Sequence, residues 1–202
     1  MGREKHGKTC FSCDISPDGR YTVSCGGDGS VMLWDGDGGK VGEVRNPDGK
    51  QLYLVRFSPD GRHVLCGGIG AWESPVILSV PDLRVVGECG GGSGDVYGGA
   101  WMPDGETFVA GGGDDGVLRV WRKEGGDVVC EKRVGMGSVC SVDVHPDGRE
   151  YAVGFHEGKK VVIFSVESHE ELRRIDIPGY VRSARYSPDG GRLAVAHESG
   201  VV

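Results

Sequence analysis

Short runs of apolar residues, or of alternating apolar and polar residues, follow one another along the chain, and tight-turn residues separate them. The first two runs are Cys10–Ile15 and Tyr21–Cys25, and the pattern recurs to the end of the chain. Alternation with a period of two is typical of β-strands. No segment keeps the helical period of about 3.6 residues for more than two turns. The pattern therefore predicts an all-β protein.

A turn of the form x-Pro-Asp-Gly divides these strands into units. Proline presets φ in the turn, and glycine accepts the left-handed conformation that closes the hairpin. The first residues of successive turns are 42, 44, 43 and 42 residues apart, which indicates one unit repeated in register. The five turns are Ser16–Gly19, Ser58–Gly61, Met102–Gly105, His145–Gly148 and Ser187–Gly190.

Each unit has one predicted strand before its turn and further strands after it, which is a four-stranded antiparallel meander. A meander that repeats about every 43 residues is the blade of a β-propeller. The strands before the turns are predicted at Cys10–Ile15, Leu52–Phe57, Val96–Trp101, Val139–Val144 and Val181–Tyr186. The chain, 1–202, is thus one region of four complete blades and part of a fifth. The predicted blades are 6–46, 47–90, 91–134, 135–178 and 179–202.

The first repeat, from Ser24 to Asp35, ends in the pair Trp34-Asp35. Because of this pair and the repeat pattern, the chain from His6 onward resembles the WD-repeat (Trp-Asp repeat) β-propeller family. The resemblance implies a hydrogen-bonded structural tetrad of His6, Ser24, Asp28 and Trp34 rather than a catalytic triad. The other repeats have drifted. The third has Arg122 after Trp121, the fourth ends its third strand in Phe164, and none of repeats two to five has the histidine. We therefore expect the tetrad in blade one alone.

The length of 202 residues predicts an incomplete ring, because seven blades need on the order of 300 residues. The fifth blade would stop at Val201-Val202, as its third strand begins. Residues 1–8 have no strand-like pattern that could close the ring. Two interpretations stay open: a fragment of a longer protein, and a partial ring that a second copy completes by self-association through the open end.

The net charge of −7, without any basic run, argues against nucleic acid and anionic membranes as partners. No stretch of about 18 apolar residues predicts a membrane span, and the charged N-terminus does not resemble a signal peptide. The expected partners are other proteins, including ones with basic segments. The seven cysteines form no disulfide-like framework. A reducing intracellular location, cytoplasmic or nuclear, is therefore expected.

Candidate chemistry is sparse along the sequence. Cys10 and Cys13 have a Cys-x-x-Cys spacing but no second ligand pair, so we predict that they fill the core rather than bind zinc. The glycine runs 90–94 and 111–116 do not match a phosphate-binding loop and are interpreted as a connector and a hairpin turn. We therefore expect no catalytic residue, no metal and no cofactor, and the chain is not predicted to be an enzyme.

Two positions of the strand before each turn are more informative. Five residues before the turn lie side chains of the kinds enriched in binding hot spots, near one rim of the channel. They are Phe11, Tyr53, Tyr97, Cys140 and Arg182, and Tyr180 and Met136 in the preceding loops extend the patch. Packing between blades is the alternative interpretation. Two residues before the turn, opposite charges lie on neighbouring innermost strands, which predicts ion pairs Asp14–Arg56 and Asp143–Arg185 between adjacent blades. The residues at this position are Asp14, Arg56, Ala100, Asp143 and Arg185.

The resemblance implies a protein–protein interaction scaffold that presents its loops and channel rim to peptides or domains. Two alternatives are weighed. Repeats four and five, with Val142–Gly148 and Arg185–Gly190, look loosely like those of echinoderm-microtubule-associated-type proteins. However, microtubules are acidic, and the net charge of the chain opposes binding to them. A propeller hydrolase would need converging acids, a metal set or a triad at the channel mouth, and the sequence shows none of these.

Overall fold

The computed structural model describes residues 5–90, 94–113, 116–124, 128–133 and 136–201. The predicted connector at 90–94 and the predicted hairpin turn at 111–116 lie partly outside these residues, and so does the N-terminal segment 1–8. For residues 128–133 and 201 only the backbone is described, so the side chain of Cys130 lies outside the description.

The described residues form five antiparallel sheets, one for each predicted blade. Blade one contains β1 (Cys10–Ile15), β2 (Tyr21–Gly26), β3 (Ser30–Asp35) and β4 (Lys40–Arg45). Blade two contains β5 (Leu52–Phe57), β6 (His63–Gly68), the 3-10 turn η1 (Gly70–Trp72), β7 (Val76–Ser79) and β8 (Val85–Glu88). Blade three contains β9 (Gly98–Trp101), β10 (Thr107–Gly112), β11 (Val117–Arg122) and β12 (Val128–Arg133). Blade four contains β13 (Val139–Val144), β14 (Glu150–Phe155), β15 (Lys160–Ser165) and β16 (Glu171–Asp176). Blade five contains β17 (Val181–Tyr186), β18 (Leu193–His197) and β19 (Gly200–Val201).

The strands of each blade pair in chain order, so that the strand before the x-Pro-Asp-Gly turn lies at one edge of its sheet. The glycine of each of these five turns has a positive φ between 67° and 72°. In the first turn the N–H of Gly19 donates to the carbonyl of Ser16 at 2.8 Å. An L side chain is disfavoured at such a φ, which explains why glycine recurs there. The all-β fold of four four-stranded blades and part of a fifth is as the sequence predicts.

The edge strands before the turns of blades one, two, four and five contain a register shift where they pair with the second strand. In β5, for example, Leu52 pairs with Gly68 and Leu54 with Gly67. Such a bulge reverses the alternation of side chains, so that residues three apart can share a face. Leu52 and Val55 accordingly lie in the same buried cluster, each with no exposed surface.

The core lies between successive blades rather than at one centre. One cluster joins Val23 and Leu33 of blade one to Leu52 and Val55 of blade two, and similar clusters join blades two and three, three and four, and four and five. The edge strands β1, β5, β9, β13 and β17 also contact one another in that order. They are therefore the innermost strands of a propeller, and every blade depends on its neighbours for burial.

The prediction that Cys10 and Cys13 fill the core is wrong, because both side chains are exposed. The face of β1 that carries them has no preceding blade within the described part of the chain. In blade two, Leu52 and Val55 occupy the equivalent positions and are buried against blade one. Cys25, Cys66 and Cys89 are buried, and Cys140 is partly buried.

Candidate functional site: the channel and its mouth

All five innermost strands border one cavity with a volume of about 670 Å³. Its wall includes Ser12 of β1, Leu54 of β5, Gly98 of β9, Ser141 of β13 and Ser183 of β17, which share one position in their repeats. An added Cβ at Gly98 would lie 2.9 Å from the backbone nitrogen of Ser141. Glycine is thus needed where β9 approaches β13. The cavity is the upper part of the propeller channel, and the repeat spacing determines which side chains reach it.

Three aromatic rings from three consecutive blades lie in contact at the mouth of this cavity. The ring centroids of Phe11 and Tyr53 are 4.9 Å apart, and those of Tyr53 and Tyr97 are 5.0 Å apart with the rings nearly perpendicular. Both separations are those of favourable aromatic pairs. The hydroxyl of Tyr97 donates to Asp95 at 2.7 Å, and that of Tyr53 donates to Gln51. Phe11 has no such anchor and is 44% exposed.

A second aromatic pair lies between blades four and five. The rings of His156 and Tyr180 stack with their centroids 5.0 Å apart, and Nδ1 of His156 donates to the carbonyl of Val181 at 2.9 Å. The ammonium of Lys159 lies 5.0 Å from the centroid of the Tyr180 ring, a cation–π distance. His156 lines the cavity, and the adjacent Tyr180 is 38% exposed.

Cys140 and Arg182 complete the predicted rim position in blades four and five, and both line the cavity. The thiol of Cys140 donates to the carbonyls of Gly154 and Val181 at 3.2 Å. Burial raises the pKa of Cys140 to about 12, so the thiol stays protonated and is a poor nucleophile near neutral pH. The side chain of Arg182 is exposed.

Glu157, in the loop between β14 and β15, adds a carboxylate to the wall. It accepts the N–H of Ser138 at 2.8 Å. Burial raises the pKa of Glu157, but the hydrogen bonds from Ser138 and from its own backbone lower it more, so that the pKa falls below its usual range. The group is therefore ionised near neutral pH.

Deeper in the channel, the structure joins the predicted ion-pair residues differently from the prediction. Oδ2 of Asp14 accepts the backbone N–H of Phe57 at 2.8 Å, and Oδ2 of Asp143 accepts that of Tyr186 at 2.7 Å. Each carboxylate thus bonds to the residue that follows its expected arginine. Because an aspartate side chain is short, it reaches the backbone of the adjacent strand rather than the guanidinium. These bonds connect blade one to blade two and blade four to blade five.

The two arginines bind hydroxyl and carbonyl oxygens of the neighbouring blade. Nη1 of Arg56 donates to Oγ of Ser12 at 3.0 Å, and Nη1 of Arg185 donates to Oγ of Ser141 at 3.0 Å. Burial raises the pKa of Asp143, and the hydrogen bond from Tyr186 and the charge of Arg56 offset only part of that shift. A smaller cavity of about 410 Å³ lies below the first and is lined by both aspartates. The two arginines line both cavities.

His6, Ser24, Asp28 and Trp34 lie together in blade one, away from the channel. Nε1 of Trp34 donates to Oγ of Ser24 at 2.8 Å, and Oγ of Ser24 lies 2.8 Å from Nε2 of His6. Nδ1 of His6 lies 3.1 Å from Oδ1 of Asp28. These distances fit a chain in which Trp34 donates to Ser24, Ser24 to His6 and His6 to Asp28. Ser30 is a fifth member, since its hydroxyl donates to Asp28 at 2.7 Å.

The environment of this network favours a structural role over nucleophilic catalysis. Ser24 is only 7% exposed, and its oxygen already accepts a hydrogen bond from the indole N–H of Trp34. Burial raises the pKa of Asp28, but the hydrogen bonds from Ser30, His6 and the Gly7 N–H lower it by more. The pKa of Asp28 is therefore well below its usual range. In blade three Trp121 donates instead to the carbonyl of Gly90 at 3.1 Å.

The described residues contain no group of three or more His, Cys, Asp or Glu side chains that could hold a metal ion. No helix in the described ranges is long and apolar enough to cross a membrane.

Sequence reasoning identified Phe11, Tyr53, Tyr97 and Arg182 as rim residues, and all four line the upper cavity. It missed His156 and Glu157 as lining residues, because they lie in the loop between the second and third strands of blade four rather than on an innermost strand. The available signal was the alignment of Glu157 with the turn aspartate of the first repeat, which places its loop at the same end of the blade.

Comparisons with known proteins agree with this architecture. A family model for the WD domain, G-beta repeat, matches residues 3–35 and 84–122. An uncharacterised WD repeat-containing protein of Synechocystis is 28% identical over 141 residues, which cover 70% of this chain and 40% of that protein. Protein groucho of Drosophila melanogaster is 27% identical over 202 residues, covering 98% of this chain and 27% of groucho. The small ribosomal subunit protein RACK1 of Caenorhabditis elegans is 32% identical over 116 residues, covering 54% and 35% of the two chains.

The repeated four-stranded blades, their shared innermost strands and the channel define a repeat protein of the β-propeller class. By these matches the chain is similar to proteins of the WD-repeat family. It spans 40% or less of the length of each of the three relatives named.

Proposed function

We propose that this chain is a protein–protein interaction module that binds peptide segments of partner proteins at the mouth of its channel. The contiguous rings of Phe11, Tyr53 and Tyr97 beside the 670 Å³ cavity carry the proposal. Aromatic side chains next to a concave surface are typical anchors of binding sites, because they bury a large area at a small cost in side-chain entropy. The similarity of the chain to WD-repeat proteins, a family of propeller scaffolds, supports the same conclusion.

The rigidity of the mouth also favours recognition. Hydrogen bonds from Tyr53 to Gln51 and from Tyr97 to Asp95 hold two of the rings before a partner arrives. A site that is already ordered loses less conformational entropy on binding. Arg182 and Tyr180 of blade five extend the rim with two further side chains of the hot-spot kind.

The test compares two exposed apolar residues of β1. Phe11, at the mouth, is 44% exposed, and Ile15, at the other end of the strand, is 64% exposed. A random dodecapeptide library displayed on phage is selected on the purified chain, and the affinities of selected peptides are measured by fluorescence polarisation. We expect Phe11→Ala to weaken binding about tenfold or more and Ile15→Ala to leave it unchanged. Selected peptides whose affinity does not respond to Phe11→Ala would contradict the proposal, and so would a failure to select any peptide.

A further inference from the structure

The upper cavity has a charge opposite to that of the protein as a whole. Arg56, Arg182 and Arg185 line it, and Glu157 is the one carboxylate among its described lining residues. The whole chain has 30 acidic and 23 basic residues, which give a net charge of −7. A local excess of guanidinium groups at the mouth of an acidic protein therefore needs an explanation of its own.

Much of the hydrogen-bonding capacity of these arginines is not taken up by the protein. Nη1 of Arg56 and Nη1 of Arg185 bind oxygens of the blades, but each guanidinium has five N–H donors. Within the described part of the chain, Arg182 has neither a hydrogen bond nor an ion pair through its guanidinium, and its side chain is exposed. The site can therefore bind an anion without breaking an existing ion pair.

Within the described residues, the nearby carboxylates form hydrogen bonds to backbone N–H groups rather than ion pairs with these arginines. Glu157 accepts the backbone N–H of Ser138 at 2.8 Å. Asp14 and Asp143 line only the lower cavity and accept the backbone N–H groups of Phe57 and Tyr186. The described lining residues of the two cavities together include three arginines and three carboxylates, and the exposed guanidinium of Arg182 at the mouth is the one that stays free to bind a ligand.

We propose that the mouth selects acidic segments, in which an Asp or Glu side chain binds Arg182 and an adjacent apolar side chain packs on Phe11 and Tyr53. This rests on the proposed function and specifies the class of partner. Arg56 and Arg185, deeper in the cavity, add attraction for the same carboxylate. Guanidinium groups bind carboxylates through short, charge-assisted and often bidentate hydrogen bonds.

The net charge of the chain alone predicts basic partners, but distance limits its influence at the mouth. Charges separated by more than about 8 Å are largely screened at physiological salt. The arginines that line the cavity act at contact distance and in a partly desolvated site, where their interaction with a ligand is screened less. Local charge therefore determines which segment binds, and the net charge affects the rate of encounter.

The experiment uses the peptides selected on the full chain. We expect the selected sequences to be enriched in Asp and Glu next to an apolar residue. Replacing the acidic residue of a selected peptide by Gln or Asn should weaken binding about tenfold. Arg182→Gln should weaken binding of the acidic peptide by a similar factor and leave binding of its uncharged counterpart unchanged. Arg192→Gln is the control, because Arg192 is an exposed arginine of the same blade that does not line the cavity.

The outcomes separate this inference from the proposed function. Selected peptides that are uncharged or basic, and that still depend on Phe11, would overturn the acidic specificity and leave the peptide-binding function in place. The acidic specificity would also be overturned if the Arg182→Gln variant bound an acidic peptide as tightly as the unmodified chain does. If no selected peptide depends on Phe11, both proposals fail.

Discussion

Blade one and blade four have the same four strands but differ in the side chains that their second and third strands place on one face of the sheet. Blade one has Ser24 and Trp34 there, joined by a hydrogen bond to each other and through His6 to Asp28. At the positions of Ser24 and Trp34, blade four has Val153 and Phe164, both fully buried. The ring of Phe164 stacks on Tyr151 with the centroids 5.4 Å apart.

The difference shows that two kinds of interaction can maintain one backbone. A hydrogen-bond network is directional, and the loss of one member leaves the others buried without partners. Apolar packing has no such requirement, but it depends on filling the available volume. The two blades should therefore respond differently to mutation and to pH.

The largest effect is expected from Phe164→Ala in blade four. The substitution leaves a cavity beside Tyr151 and Val153, and such truncations cost about 3–5 kcal/mol. Urea denaturation followed by tryptophan fluorescence would measure the loss in free energy of unfolding. Ile175→Ala, on the outermost strand of the same blade where the side chain is 37% exposed, should change it by less than about 1 kcal/mol. Equal losses for the two variants would show that blade four does not depend on its apolar filling.

A smaller effect, with strong coupling, is expected in blade one. Ser24→Ala leaves the ring nitrogens of Trp34 and His6 without their shared partner, at a cost of about 1–3 kcal/mol. Trp34→Phe removes the indole donor and should cost a similar amount. Because both variants break the same network, the double variant should be more stable than the sum of the two losses predicts, by about 0.5 kcal/mol or more.

Denaturation of the two single variants and the double variant, all at one pH, supplies this coupling energy. The additional control is Ser168→Ala, an exposed serine in the loop between β15 and β16. Combined with Trp34→Phe it should give additive losses. Additive losses for Ser24 and Trp34 themselves would mean that the two side chains act independently, and that blade one is not stabilised by a network.

The repeat spacing predicted nearly every strand and the composition of the rim, because turn chemistry and alternation are local properties of the sequence. It could not predict the exposure of Cys10 and Cys13. At the equivalent positions Leu52 and Val55 are buried, and their burial depends on contact with the preceding blade. The sequence of one strand carries no information on whether such a neighbour is present.

The charge alternation of Asp14 and Arg56 illustrates a second limit. The register correctly placed the two residues on adjacent innermost strands, but the bonds depend on side-chain length and on which N–H groups lack a partner in the sheet. The short side chain of Asp14 reaches the backbone N–H of Phe57 and accepts a hydrogen bond from it, instead of pairing with the guanidinium of Arg56. Likewise, Ser30 was absent from the predicted tetrad because its role depends on the turn geometry that brings its hydroxyl to Asp28.

The smallest expected effect is the pH dependence of the turn carboxylates of the two blades. Asp28 of blade one accepts hydrogen bonds from Ser30, His6 and Gly7, whereas Glu157 of blade four is exposed and accepts that of Ser138. The pKa of Asp28 in the folded protein lies well below the value of about 3.9 expected in the unfolded chain. The contribution of Asp28 to stability is therefore complete above the pKa of the unfolded chain and is lost as the pH falls towards the pKa in the folded state.

Between pH 5 and 3, Asp28→Asn should accordingly lose about 1 kcal/mol less stability than the unmodified protein. Glu157→Gln should differ from the unmodified protein by less than that. Urea midpoints measured across this pH range test both expectations, and a larger effect of Glu157→Gln than of Asp28→Asn would reverse the assignment of the polar network to blade one.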